Sequence, residues 1–322
     1  MDPRIGKKRR KKFNRQPSEG IGFSIPFLIP IAGMNSAMQR VVFGKTGWAI
    51  DFDGCEDIVA GLLGVFKDWG IKTGTPQSLR TPKPRARISR QLEGWHWQEI
   101  GAPKARHWDA IPPRSAMRVI TDIHDAAIYW YLDDNPQLLC LHGAAAKMGP
   151  GLVCFPARGR TGKSTLVANL AALGHRIFSD DVIGLEAKGN RGRALGFMPR
   201  LRLSLPPNTT AVVRKYIEGH QGLASDGWIY LKPGSAQIAG LGETAKIRAI
   251  ILLERADTGR PKLEAANTAA ILKPLIAENI IRKLPMPHIF DQLHRLASDS
   301  ERYLLRYSDP FAAAKFLTKI FT

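Results

Sequence analysis

An α/β fold is what the C-terminal part of this sequence predicts, and three observations predict it. From residue 138 onward, strand-like and helix-like stretches alternate along the chain, the order that layers helices on a sheet. Residues 246–254 (KIRAIILLE) form a near-continuous apolar run of strand length, as a strand buried on both faces requires. A glycine-containing turn over residues 157–163 joins an apolar strand to an amphipathic helix. The organisation expected is a basic tail over 1–20, a small α+β N-terminal domain over 21–135 and the α/β domain over 136–322.

The elements follow in order. Residues 40–43 and 48–52 read as short strands around the turn Gly44-Lys45-Thr46-Gly47. Over residues 56–69, Ile58, Leu62, Phe66 and Trp69 recur at helical spacing, and Gly70 offers a stop. Residues 71–90, rich in Pro, Thr and Arg, read as an exposed loop. Residues 116–132 (AMRVITDIHDAAIYWYL) predict an amphipathic helix, ended by Asp133-Asp134-Asn135-Pro136. A strand from Leu138, a turn at Gly149-Pro150-Gly151, a second strand, a loop, a helix and a third strand come next. Residues 269–284 and 289–296 read as helices, 301–307 as a strand, and 310–321 as a last helix with Pro310 in its first turn.

Composition narrows the class. The hydrophobic share of 44% over 322 residues supplies a packed core and excludes disorder throughout. No uncharged apolar run reaches the roughly 18 residues of a membrane helix. Three scattered cysteines, Cys55, Cys140 and Cys154, make neither a disulfide scaffold nor a Cys-rich zinc site. The net charge is +19, and it is uneven: residues 1–16 carry eight basic residues against Asp2 alone. Such a run reads as a solvated tail, with nucleic-acid binding as the sharper alternative. The tail and residues 21–34 share the outline of a signal peptide, but Pro26 and Pro30 interrupt the apolar run and the cleavage site is poor. A segment entering the fold of a cytoplasmic, membrane-free protein is the reading preferred.

The informative segment is residues 152–166, LVCFPARGRTGKSTL. An apolar strand leads through a flexible turn into Gly162-Lys163-Ser164, which opens a helix. A phosphate-binding loop needs this layout: backbone N–H groups and the helix N-terminus hold the anion, the lysine reaches the β/γ oxygens, and the serine hydroxyl ligates Mg²⁺. Gly159, Arg160, Thr161, Gly162, Lys163, Ser164 and Thr165 are the nucleotide-binding candidates. Gly44-Lys45-Thr46 repeats the tripeptide within a strand–turn–strand pattern, so it is a hairpin turn. The first glycine of the usual loop pattern is Ala157 here, with Gly159 two residues on, so the loop enters by a different turn.

A second apolar strand, 176–179, ends in Asp180-Asp181. Beside such a loop, acids at a strand end reach Mg²⁺ or the attacking nucleophile. One of the two can take a proton from a hydroxyl while the other holds Mg²⁺ through water. Phosphoryl transfer also needs positive charge on the equatorial oxygens. Arg200 and Arg202 share one face of an extended segment and are the candidates, with Arg158 and Arg160 of the loop as alternatives.

Residues 141–181 resemble the catalytic domain of HPr kinase/phosphorylase and its HPr-serine-kinase-related relatives, P-loop kinases whose fold is similar to that of ATP-dependent phosphoenolpyruvate carboxykinase. The resemblance rests on Leu141-His142-Gly143, Gly162-Lys163-Ser164, and Gly174-His175-Arg176 with Asp180-Asp181 after it. It implies a P-loop kinase domain preceded by the small α+β domain, with ATP and Mg²⁺ as cofactors. By that resemblance Lys163 and Ser164 hold the phosphates and Mg²⁺, Asp180 is the general base with Asp181 beside it, and His142 lies close to the phosphates. A core histidine on a strand is the other reading of His142. No copy of the second, Gly-rich signature of true HPr kinases is found, so the acceptor is a Ser/Thr or other hydroxyl of a protein, peptide or small molecule. A homo-oligomer is among the assemblies the resemblance allows.

Three functions compete. The first is this ATP-dependent phosphotransferase. The second, a carboxykinase-like lyase, lacks the His/Lys/Asp cluster for a second metal. The third, from another class, is a nucleotide-binding regulatory protein whose basic tail binds nucleic acid.

Overall fold

The computed structural model describes residues 37–79, 83–91, 94–100, 107–108, 115–157, 161–280 and 284–322. The basic tail and the signal-peptide-like stretch read from residues 1–34 lie outside the described residues, as do Arg158, Gly159 and Arg160 of the loop. Among the described residues the architecture is mixed α/β with three sheets.

The first sheet holds β1 (Gln39–Phe43), β2 (Trp48–Asp53), β3 (Ile71–Gly74), β4 (Pro84–Gln91), β5 (Gly94–Glu99) and β6 (His107–Trp108) in the order β3-β1-β2-β4-β5-β6. Helices α1 (Glu56–Leu63) and α2 (Ala116–Asp134) pack on each other beside it. The Gly44–Gly47 turn is the expected hairpin: Gly47 N–H donates to Phe43 O at 2.9 Å. Two expectations are corrected. Residues 71–90 are not a loop, because β3 and β4 lie there and Ala86 and Ile88 are fully buried. The helix read over 56–69 stops at Leu63, where Gly64 N–H closes back on Gly61 O at 3.1 Å.

The second sheet carries β7 (Leu139–Met148), β8 (Gly151–Pro156), β9 (Arg176–Ser179), β10 (Val182–Leu185), β11 (Arg191–Arg193), then β15 (Thr244–Arg255), β16 (Lys262–Ala265) and β17 (Glu301–Tyr307). Its order is β11-β10-β7-β8-β15-β17-β16, with β9 also on β7. β8, β15 and β17 run parallel, so their C-terminal ends face one way. A third sheet, ordered β12-β14-β13, is built from β12 (Arg200–Arg202), β13 (Gln221–Ser225) and β14 (Trp228–Leu231). The helices are α3 (Lys163–Ala172), α4 (Ala211–Gly219), α5 (Thr268–Ala277), α6 (Met286–Asp299) and α7 (Pro310–Phe321). The helix expected over 269–284 ends early, at Ala277, where Glu278 N–H turns back to Pro274 O at 2.8 Å.

The sheets change near residue 136, but the core does not. One hydrophobic cluster runs from Val41 and Trp69 through Phe155 and Leu166 to Phe321, and residues 35–322 form one compact unit. The seam is specific. Lys67 N–H donates to Gly196 O at 2.7 Å, and Met198 N–H donates to Val65 O at 2.8 Å. Trp69, 1% exposed, sends its indole N–H to Leu195 O and Gly196 O at 3.0 and 3.1 Å. Phe66 and Trp69 also pack on Phe197 with ring centroids 5.3 and 5.5 Å away. The strand that begins at Arg200 is thereby held from the N-terminal side.

Candidate active site

The loop comes from three local causes. β8 is buried at every position, so it is fixed between β7 and β15. Gly162, the N-cap of α3, has φ 94°, a left-handed conformation that favours glycine. A Cβ there would sit 2.9 Å from the Tyr307 hydroxyl, so space and dihedral both disfavour a side chain. The first intrahelical bond runs from Leu166 N–H to Gly162 O at 2.9 Å. The N–H groups of the first turn therefore have no acceptor within the helix, and they point where the helix dipole favours an anion.

Lys163 is 5% exposed, and its ammonium donates to Ala157 O across the loop and lies 3.5 Å from His142 Nε2. Burial lowers its pKa, while the charges of Asp181, Glu278 and Asp180 work to raise it. The lysine thus ties the strand end before the loop to the acids beyond it.

Those acids sit at a break in a strand. β10 pairs with β7 at Leu139–His142, and β9 pairs with it further along at Ala145–Lys147. Asp180 and Asp181 fall between them, opposite Gly143, whose N–H donates to Asp181 O at 2.7 Å. A Cβ on Gly143 would meet Pro156 Cα at 3.1 Å, so the close approach of β7 to the loop strand needs that glycine. Ser179 Oγ locks the corner by donating to Gly143 O and accepting from Asp181 N–H, both at 3.1 Å.

The two aspartates differ electrostatically. Asp180 is 7% exposed, and its Oδ2 accepts the Arg200 backbone N–H at 2.9 Å. Burial, with the charge of Asp181 beside it, pushes its pKa up to about 6 despite that hydrogen bond. Burial works the same way on Asp181, but the hydrogen bond and charge of His142, with His124 and Arg200, outweigh it and hold Asp181 down. His142 Nε2 is 2.8 Å from Asp181 Oδ1, and its Nδ1 is 3.2 Å from Glu278 Oε2. It is a half-exposed bridge between two carboxylates, not a core histidine.

Arg200 and Arg202 lie two apart on β12 and reach the same ring. Their guanidinium carbons sit 4.8 and 4.9 Å from the Trp228 centroid. Arg200 also donates from Nη1 to Thr121 Oγ1 at 3.0 Å, and Thr121 in turn donates to Met117 O within α2. Neither arginine makes an ion pair with a carboxylate among the described residues.

A cleft of 570 Å³ connects these groups, within the roughly 300–1,000 Å³ typical of ligand pockets. His142, Gly162, Lys163, Ser164 and Thr165 line it, and so do Asp180, Asp181, Arg200 and Arg202. Of the remaining candidates, Thr161 is described but is not on its wall, while Gly159 and Arg160 lie outside the described residues. Sequence reasoning missed Glu278, Thr121 and Tyr307. Glu278 is the C-cap of a helix, Thr121 belongs to the N-terminal half, and Tyr307 ends a strand. None carries a local motif.

Among the described residues, no group of three or more His, Cys, Asp or Glu side chains is arranged to hold an ion unaided. Ser164 and Asp181 do share the cleft. That donor set fits Mg²⁺, which takes one or two protein oxygens and completes its shell with phosphate oxygens and water.

No described protein family matches the chain, and no curated protein does. Forty-nine solved chains match in fold comparison. One is the HPr(Ser) kinase/phosphatase from Coxiella burnetii, with 14% identity, 56% of this chain and 95% of that chain covered, and a TM-score of 0.30. A likeness of that size says nothing of activity.

Proposed function

We propose that the protein is an ATP- and Mg²⁺-dependent phosphotransferase that moves the γ-phosphate of ATP to a hydroxyl group. One observation carries this reading: an anion-binding helix N-terminus with its lysine, Gly162-Lys163-Ser164, shares a cleft with a buried aspartate of raised pKa. Phosphate binding alone would not need that aspartate, and a structural aspartate would not need to face that loop.

The residues take these roles. First-turn N–H groups of α3 and the Lys163 ammonium hold the β- and γ-phosphates. Asp180 accepts the proton of the acceptor hydroxyl as its oxygen bonds to the γ-phosphorus. The bond from that phosphorus to the β,γ-bridging oxygen breaks, and ADP leaves with the electron pair. Arg200, fixed by Thr121 and Trp228, supplies positive charge to the transferring group. Asp181 and Ser164 would hold Mg²⁺, which neutralises phosphate charge when bound. The His142–Glu278 pair orients Asp181.

The test is Mg²⁺-dependent ATP turnover and ATP binding for the wild type and Lys163→Ala. The reading expects the variant to lose both. Unchanged ATP affinity in Lys163→Ala would remove it.

A further inference from the structure

The cleft has two unlike ends, and only one is accounted for by phosphates. Beyond Asp180 it continues between α3, α4 and the third sheet as an apolar pouch. Leu201, Leu205, Pro206, Val213, Ile217 and Trp228 line it. Leu201, Val213 and Ile217 are almost fully buried and belong to one hydrophobic cluster with Ala168 of α3. The loop after β12, with Ser204 and Thr209, forms its rim. Arg202 is exposed at the same place, stacked on Trp228.

Gly162 itself is covered by other residues. There Tyr307 and Arg255, at the C-terminal ends of β17 and β15, close over Gly162, with the Arg255 guanidinium 5.0 Å from the Tyr307 ring. The acids mark the γ end of a phosphate chain, because transferred phosphate and base must meet there. An in-line transfer puts the acceptor beyond the γ-phosphorus, on the side away from ADP. The pouch adjoins Asp180 through Arg200 and Leu201 of β12, while neither Tyr307 nor Arg255 lines it.

We propose that this pouch is the acceptor subsite, and that it takes a small alcohol with a compact apolar body and an anionic group. The apolar body packs against the part-exposed Leu205, Pro206 and Trp228, which Leu201, Val213 and Ile217 back from the core. The hydroxyl lies at Asp180, and the anionic group pairs with Arg202 at the rim. The assignment rests on the phosphotransferase reading and gives it a substrate class. It also explains two arginines on one indole: Arg200 faces the transferring phosphate, and Arg202 faces the acceptor's own charge. A polar acceptor such as free serine would leave the apolar wall facing water, while a neutral alcohol would leave Arg202 without a counter-charge.

The experiment uses the full chain with radiolabelled ATP and four acceptors: glycerate, 3-hydroxyoctanoate, 4-hydroxyphenylacetate and 1,3-octanediol. ATP affinity and 3-hydroxyoctanoate affinity in the presence of Mg·ADP are measured alongside by calorimetry. The apolar hydroxy acids are expected to have a kcat/KM at least ~10-fold above both glycerate and the neutral diol, the size expected of one desolvated anchor. Leu205→Trp, at the partly exposed rim, is expected to raise the KM for 3-hydroxyoctanoate ~10-fold and leave ATP affinity within about twofold. Arg202→Gln should erase the preference for the acid over the diol. Val213→Ala, which enlarges the pouch, should move preference toward longer chains.

A loss of ATP affinity in Leu205→Trp would assign the pouch to the nucleoside and overturn the proposal. Preference for glycerate, or phosphate on none of the four, would also overturn it. If ATP still binds through Lys163 in that last case, the phosphotransferase reading stands and the acceptor class alone has failed.

Discussion

The backbone N–H of Arg200 donates to Asp180 Oδ2 at 2.9 Å, across 20 residues of sequence. One strand thus carries both the Arg200 guanidinium and a hydrogen bond to Asp180, the base of the proposed transfer. That bond opposes the rise in the Asp180 pKa but does not cancel it, because burial dominates. A carboxylate that is hard to ionise yet held in place is suited to accept a proton.

Asp180→Asn is expected to lower kcat by ~10²–10⁴-fold, the usual worth of a general base, with ATP affinity retained. The same change should stabilise the fold at pH 7. A carboxyl whose pKa is raised by folding contributes stability that is present at low pH and lost as pH rises through about 6. A neutral amide escapes that loss, so the melting temperature should rise by about 2–4 °C for each ~1 kcal/mol recovered. Calorimetry and single-turnover assays check the two halves separately; a variant that loses activity and stability together contradicts this account of Asp180.

The pH profile follows from the same group. kcat/KM should fall below about pH 6 with unit slope, as Asp180 takes up its proton. Asp181, held low, stays ionised through that range. Profiles measured from pH 5 to 8 on wild type would show the inflection. A flat wild-type profile over that span would move the base elsewhere.

Glu278→Gln tests the bridge through His142. Losing an orienting partner of this kind is expected to cost ~10–100-fold in kcat. A purely structural role predicts no more than that, so the alkaline side of the profile decides. The Glu278 charge helps keep Lys163 protonated; its removal should shift the alkaline limb to lower pH. An unmoved limb would reduce Glu278 to packing.

Gly162→Ala faces two penalties. A left-handed alanine costs ~1–2 kcal/mol, and its Cβ would meet the Tyr307 hydroxyl. ATP affinity and melting temperature should both drop. Adding Tyr307→Phe should restore part of the loss by removing the collision while leaving the dihedral cost. Thermal melts of the single and double variants measure each share.

The loop half of the chain was legible because buried strands and a glycine turn are local signals. Residues 246–254 became the inner part of β15, and Gly162-Lys163-Ser164 fell at a helix start. β4 was not legible. Its sequence, PRARISRQ, alternates inward Ala86 and Ile88 with arginines, but the charges and prolines around it read as a loop. Glu278 meets His142 across 136 residues, and Arg200 meets Thr121 across 79. Contacts of that span exist only after the sheets assemble. Both aspartates were visible in sequence, yet their opposite titration was not, since it follows from the burial of Asp180 and from the hydrogen bond and charge of His142 on Asp181.

The seam at residues 65–69 bears on how such a protein can be taken apart. Removing residues 1–135 would delete the Val65 and Lys67 backbone partners of β12's approach, strip Trp69 from Phe197 and take away the hydroxyl that steadies Arg200. A fragment cut to residues 136–322 would keep every motif yet present a hydrophobic wound at Phe197, beside β12. The N-terminal half therefore works as a graft the site has grown around. A transplant of this chemistry into another scaffold would have to carry α2 and the Phe66–Trp69 corner with it.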